Sequence, residues 1–123
     1  MPLHLDHTIV PAHDKEASAR FIARMFGLTY DGPWGPFAPV KVDEHLSLDF
    51  DERREVVRQH YAFLASDDEF DAILGRVKAE EVAFGSAPGA MDDGKINHLY
   101  TGRGFYFRDA NGHSWEVITH TYI

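Results

Sequence analysis

The feature that most constrains this chain is an internal repeat. When the sequence is shifted by 53 residues, five identities fall within thirteen consecutive positions, 7–19 against 60–72. The identical pairs are His7 and His60, Ala12 and Ala65, Asp14 and Asp67, Glu16 and Glu69, and Ala19 and Ala72. The competing interpretation is that any two amphipathic strand–turn–helix segments resemble each other. A true repeat predicts an α+β fold of two paired βαβββ units, which form a curved mixed sheet around a shared cavity.

The first predicted unit spans approximately residues 3–50. Alternating and β-branched residues indicate strands, helical spacing of apolar residues followed by Gly27 indicates a helix, and Gly and Pro clusters indicate turns. These patterns predict a strand at 3–10, a helix at 14–26, a short strand and turn within 28–36, and strands at 37–42 and 46–50.

A highly charged segment, about 51–58, is predicted to be an exposed linker to a second unit at about 59–123, within one domain of residues 1–123. In the second unit, Ser66 and Glu69 have the spacing of a helix-capping pair. Asn111-Gly112 is typical of a tight hairpin turn. The remaining predicted elements are strands at 60–65, 82–84, 104–108 and 114–121, a helix after Ser66, and a long loop at 85–104.

Composition excludes several classes of function. The chain has 123 residues, 44% of them hydrophobic and 26% charged, and no apolar run is long enough for a membrane helix. The net charge of −8 argues against nucleic acid as a partner. The chain has no cysteine and begins with neither the basic nor the apolar stretch of a secretory signal, so we expect a cytoplasmic protein.

Three residues are the best candidates for binding a divalent metal ion. His7 and His60 occupy equivalent strands of the two units, so a pseudo-twofold axis would bring them together. Glu116 alternates with Trp115 and Val117, and a glutamate that faces inward from a strand is costly unless it is paired or binds a cation. Two imidazoles and a carboxylate suit one ion of Fe, Mn, Ni, Co or Zn.

Other residues are candidates for roles around that ion. Tyr106 lies across the hairpin from Glu116 and could donate a hydrogen bond to a bound oxygen, although an aromatic core residue fits the pattern equally. Arg103 and His98, in the long loop, and Asp49, in the first unit, are candidates for contacting substrate; the alternative for the loop residues is ordinary solvation. No phosphate loop, dinucleotide fingerprint or nucleophilic triad is present, and we assign no residue to an organic cofactor.

Three segments resemble the vicinal oxygen chelate superfamily, the glyoxalase, bleomycin-resistance and dioxygenase group. They are Leu5–Val10, His60–Phe63 and the aromatic strand, turn and strand at 104–118. The resemblance covers essentially the whole chain. It implies the paired βαβββ fold, a metal held by His7, His60 and Glu116, and a homodimer. Some members of the superfamily build each site from residues of two chains.

The sequence also departs from individual branches of that superfamily. Glyoxalase I has a fourth, acidic ligand at the end of its first unit, where this chain has Ser47, at the likelier position, and Asp49. The ring-cleaving dioxygenases typically have four units, whereas this chain has two. The basic loop of the fosfomycin-resistance enzymes is not evident between Gly94 and Gly104.

Two functions remain open from the sequence. The first is a metal-dependent enzyme that binds a small oxygen-bearing substrate, with lyase, isomerase or dioxygenase chemistry unresolved. The alternative is a protein that binds a small molecule or drug without turnover, as the bleomycin-resistance proteins do. The three ligand-type residues favour the enzyme.

Overall fold

A computed structural model describes residues 3–123, which divide into two compact units, with the boundary in the chain between Val57 and Arg58. Both units combine one helix with a mixed sheet, which confirms the predicted α+β class. The elements in chain order are β1 (His7–Pro11), α1 (Lys15–Phe26), β2 (Ala38–Lys41), β3 (Ser47–Asp51), β4 (His60–Leu64), α2 (Asp67–Ala79), β5 (Phe84–Gly85), a 3-10 turn (Leu99–Thr101), β6 (Gly104–Arg108) and β7 (Ser114–Ile118).

Helix α1 begins and ends where its sequence dictates. The Asp14 side chain accepts a hydrogen bond from the Ala17 amide at 3.1 Å, which satisfies one of the free N–H groups of the first turn. Gly27 ends the helix in the left-handed conformation, with φ of 68°. Between these ends the apolar positions Ile22 and Met25 are completely buried.

The sheet of the first unit has the order β1-β3-β2, with β1 parallel and β2 antiparallel to the central β3. Because side chains alternate along a strand, Leu48 and Phe50 are buried on one face, and Ser47 and Asp49 lie on the other. The separation of Leu48 and Phe50 from Ser47 and Asp49 agrees with the alternation read from the sequence.

The first unit lacks the strand predicted within residues 28–36. Trp34 and Phe37 instead form an isolated bridge, with reciprocal backbone hydrogen bonds of 2.9 and 3.0 Å. The neighbouring Gly32 and Gly35 have positive φ, and the prolines of this segment have no N–H to donate to a ladder. The sheet of this unit therefore has three strands rather than four.

At the end of β3, the buried carboxylate of Asp51 is held by two arginines. Arg53 donates from Nε and Nη2 at 3.0 Å each, and Arg54 donates from Nε at 3.3 Å. The hydrogen bonds from Arg53 lower the pKa of Asp51 to about 2. Asp51 therefore anchors the first residues of the charged segment to the sheet.

In the second unit the sheet has the order β4-β7-β6-β5, with β4 parallel to β7 and the other pairs antiparallel. The Ser66 hydroxyl begins α2 by accepting from the Glu69 amide at 3.2 Å. Phe70 of this helix packs edge-on against Phe105 of the sheet, with ring centroids 5.2 Å apart. No helix within residues 3–123 is both long and apolar enough to cross a membrane.

The turn between β6 and β7 is organised by the carboxylate of Asp109. It accepts hydrogen bonds from the amides of Asn111 and His113 at 2.9 and 3.0 Å, and from the Trp115 indole at 3.0 Å. Only Gly112 has a positive φ, 84°, so the turn is not the two-residue type in which Asn111 would also be left-handed. The Asp109 side chain replaces part of the backbone pairing that a shorter turn would make.

The predicted long loop is present as residues 86–103 and is pinned at its end. Asn97 and Gly104 form an isolated bridge, with backbone hydrogen bonds of 2.8 and 3.0 Å. A side chain on Gly104 would collide with the Asn97 amide, since a Cβ there would lie 2.8 Å from Oδ1. Between the two, Tyr100 and Thr101 have φ of 57° and 60°, a conformation that strains residues other than glycine.

We predict that Asp109→Ala lowers the free energy of unfolding by about 3 kcal/mol, because three buried or partly buried N–H groups lose a charged acceptor. Asp109→Asn retains an acceptor oxygen and should lose less. Urea unfolding would measure both changes, with Asp31→Ala, at an exposed aspartate, as a control that stays within about 0.5 kcal/mol of the parent. An Asp109→Ala loss no larger than that of the control would contradict this role.

Candidate functional site

Three polar side chains converge on the face of the second sheet opposite α2. His60 Nε2 lies 2.7 Å from Glu116 Oε1, and the rings of His60 and Tyr106 are 5.9 Å apart between centroids. The register explains the convergence, because Glu116 pairs with Ala62 on one side and with Tyr106 on the other. The other face of the same strands carries the buried aromatic and aliphatic core under the helix.

The surroundings of these groups differ in exposure. The His60 side chain is 51% exposed, whereas that of Glu116 is only 11% exposed. Burial, together with the hydrogen bond to Glu116 and the negative charge of that carboxylate, raises the pKa of Tyr106 to about 12. The Tyr106 hydroxyl therefore keeps its proton at neutral pH and can donate it in a hydrogen bond.

His7 occupies the corresponding face of the first unit. Its Nδ1 lies 2.7 Å from Asp6 Oδ2, and its side chain is 57% exposed. The hydrogen bond with Asp6 raises the pKa of His7, and the negative charge of Asp49 adds to this effect. Asp49 itself accepts a hydrogen bond from the Ser47 hydroxyl at 2.7 Å.

The registers of the two sheets show which acidic residues are equivalent. His7 pairs with Ser47 in the first unit, and His60 pairs with Ser114 in the second. Two residues further along each central strand stand Asp49 and Glu116 respectively. The position equivalent to Glu116 is therefore held by Asp49, whereas the sequence analysis placed Ser47 at the likelier position of a fourth, acidic ligand.

Within residues 3–123, no three His, Asp, Glu or Cys side chains are grouped so that they could hold a metal ion. His60 and Glu116 form an adjacent pair whose nitrogen and oxygen atoms could bind one ion together if the hydrogen bond between them were replaced. The set of His7, His60 and Glu116 stays a prediction, of which the second unit supplies two neighbouring members.

Arg103, a candidate for contacting substrate, is held by helix α2. Its guanidinium donates to Asp67 Oδ1 at 2.9 Å and to Asp71 Oδ1 at 2.7 Å, and it lies 4.4 Å from the centroid of the Phe70 ring. These contacts tie the end of the long loop to the first turns of α2. His98 is exposed just before the 3-10 turn.

Sequence reasoning missed a cavity of about 430 Å³ in the second unit, whose lining includes Met91, Asp92 and Arg108. Arg108 lies two residues from Tyr106 and on the same face of the strand, and this spacing was the one sign in the sequence that Arg108 could lie near the candidate site. Met91 was not identifiable in advance, because only the folded loop brings its sulfur 3.1 Å from Arg108 Nε.

The chain matches no protein-family model, and none of the curated proteins matches it. Solved structures do match. Oxidase ChaP-H2 is 46% identical, with a TM-score of 0.91 over 99% of this chain and 97% of its own. Oxidase ChaP-H1 is also 46% identical, with a TM-score of 0.90 over 98% of each chain.

A more distant similarity indicates the wider fold. The lactoylglutathione lyase from Agrobacterium tumefaciens is 21% identical, with a TM-score of 0.72 over 95% of this chain and 93% of its own. This similarity supports the fold alone, while the two oxidases establish kinship over nearly the full length. Together with the two helix-and-sheet units, these relatives show that the chain belongs to the vicinal oxygen chelate superfamily.

Proposed function

We propose that this protein is a divalent-metal-dependent enzyme that acts on a small oxygen-bearing substrate. The observation that carries the proposal is the contact of 2.7 Å between His60 and Glu116, beside the hydroxyl of Tyr106. An imidazole and a buried carboxylate are ligands that Fe, Mn, Ni, Co and Zn accept, and the exposure of His60 leaves an approach for substrate. His7 is the proposed third ligand.

A bound divalent ion would act as a Lewis acid that polarises a substrate oxygen. Glu116 and the histidines would hold the ion. Tyr106 would donate a hydrogen bond to the oxygen on which negative charge develops, since its raised pKa keeps the phenol protonated. The strand pairing of Tyr106 with Glu116 fixes this donor beside the ligand without a loop movement.

Among the reactions that such a site can perform, oxidation is favoured over lyase or isomerase chemistry. The support is that the two relatives at 46% identity are both oxidases. The oxidant for such a reaction would be dioxygen. Glyoxalase-type chemistry has weaker support, since the lyase relative is only 21% identical.

We predict that the purified protein binds close to one equivalent of Fe, Mn, Ni, Co or Zn per chain, and that His60→Ala removes this binding while the fold is kept. Elemental analysis after metal loading, together with circular dichroism, would measure both. His45→Ala changes an exposed histidine outside the predicted ligands and should bind metal like the parent.

Metal below about a tenth of an equivalent under every loading condition would refute the enzyme proposal in its metal-dependent form. That result would favour the alternative, a protein that binds a small molecule without turnover. Full metal retention in His60→Ala would instead refute only the ligand assignment.

We predict that Tyr106→Phe leaves the metal content unchanged but weakens the binding of a small chelator, acetohydroxamate, to the metal-loaded protein by roughly five- to tenfold, the value of one hydrogen bond. Calorimetric titration would measure the affinity. Tyr122→Phe removes an exposed hydroxyl and is the matched control. Equal affinities for all three proteins would exclude Tyr106 as a donor to the bound ligand.

We also propose that the protein is a homodimer and that each site takes His7 from one copy and His60 with Glu116 from the other. The support is that the second unit supplies two adjacent ligands, while the described residues contain no group of three. The expectation of a shared site comes from the superfamily, some of whose two-unit members build each site from two chains.

Complementation tests the shared site. His7→Ala and His60→Ala chains, unfolded together and refolded, should recover about a quarter of an equivalent of metal per chain, because half of the dimers are mixed and each mixed dimer restores one site. Each variant refolded by itself should recover none. No recovery in the mixture, or only monomers in sedimentation at micromolar concentration, would contradict the shared site.

A further inference from the structure

The cavity beside β6 is lined by Arg108, an exposed arginine without a carboxylate partner within residues 3–123. Arg108 Nε donates to the thioether of Met91 at 3.1 Å, and a sulfur is a weak acceptor. Within residues 3–123, no other hydrogen bond and no ion pair engages this guanidinium. By contrast, Arg53 and Arg103 are each paired with carboxylates at 2.7–3.0 Å.

Carboxylates are abundant in this chain, whose net charge is −8, yet none of those within residues 3–123 is a partner of Arg108. A guanidinium presents two parallel N–H groups that match the two oxygens of a carboxylate, and such bidentate pairs are stronger than neutral hydrogen bonds. Arg108 keeps these donors available in a concave space of about 430 Å³. The free donors and the cavity together are the features of a small-anion site.

Arg108, which lines the cavity, lies on the same sheet face as the candidate metal ligands His60 and Glu116. Arg108 pairs with Ser114, and Ser114 pairs with His60, so the three residues form one row across the sheet. Met91 lies over this row, with its sulfur 4.0 Å from Ser114 Oγ. Two strand spacings, roughly 10 Å, separate the backbones of Arg108 and His60, and about 7 Å separates Arg108 from Tyr106 on the same strand face.

We propose that Arg108 and its cavity bind a carboxylate group of the substrate, so that the substrate is a small organic acid whose reacting oxygens lie several ångströms from that carboxylate. Arg108 acts as a specificity-determining residue. The assignment of this anion site to the substrate depends on the proposed function of the His60 and Glu116 pair; the anion site itself depends only on the cavity.

Asp92 also lines the cavity and supplies the matched control. Its negative charge opposes a second carboxylate nearby, so Asp92→Asn should strengthen anion binding roughly fivefold. Arg108→Gln should abolish this binding, and Arg108→Lys, which keeps the charge but loses the planar fork, should weaken it roughly tenfold. Substitutions at Asp92 and Arg108 should therefore change the affinity for anions in opposite directions within one cavity.

The test is a titration of the metal-free protein with succinate at constant ionic strength, followed by the arginine Nε–Hε signals in nitrogen–proton spectra. The Arg108 signal is identified by its loss in Arg108→Gln. We expect this signal to shift saturably with succinate but not with neutral succinamide, while the carboxylate-paired Arg53 and Arg103 remain unmoved. Equal shifts for the three arginines, or the same response to succinamide, would overturn the anion site.

A second titration separates the inference from the proposed function. The metal-loaded protein is titrated with acetohydroxamate and with the monohydroxamate of succinate, which adds only a carboxylate. A preference of about tenfold for the latter, lost in Arg108→Gln, is expected. Chelators that bind with equal affinity would overturn the substrate role of Arg108. Chelators that fail to bind in every variant would instead refute the proposed metal chemistry and leave the succinate result to decide the anion site.

Discussion

The carboxylate of Asp109 receives three N–H groups, and the register of the second sheet depends on this interaction. The turn that it organises sets β6 against β7, so that Tyr106 stands opposite Glu116 and Phe107 opposite Trp115. A slip of one residue would move the aromatic core onto the site face and bury the glutamate under the helix. The register of β6 against β7 therefore decides which side chains form the core and which face the candidate site.

The two units use one plan with different chemical content. Each places a histidine on an edge strand and an acidic residue on the central strand, two positions beyond the histidine's partner. In the second unit Glu116 is in hydrogen-bond contact with His60. In the first unit Asp49 accepts a hydrogen bond from Ser47 and affects His7 only through its charge. The two sites have equivalent backbones but differ chemically, because Asp49 is shorter than Glu116 and already accepts a hydrogen bond from Ser47.

Most of the fold could be predicted from local signals. Gly27 predicted the end of α1 and Ser66 predicted the start of α2, and alternation predicted the faces of β3 and β7. The missing strand near Gly32 could not be predicted, since a turn-rich segment can end as a single bridge. The role of Arg103 was equally hidden, because its carboxylate partners lie more than thirty residues away in the chain. The metal-ligand prediction combines distant residues and depends most on family resemblance.

The Asn97–Gly104 bridge has a consequence for how this protein could change. Its hydrogen bonds close residues 98–103 into a loop with fixed ends, so β6 keeps its position whatever the loop tip contains. The Asn97 side chain also donates to the Ser86 carbonyl at 3.0 Å, which anchors the bridge to the start of the long loop. The tip can therefore vary in length and sequence as an interchangeable module, while the strand that carries Tyr106 and Arg108 remains in register.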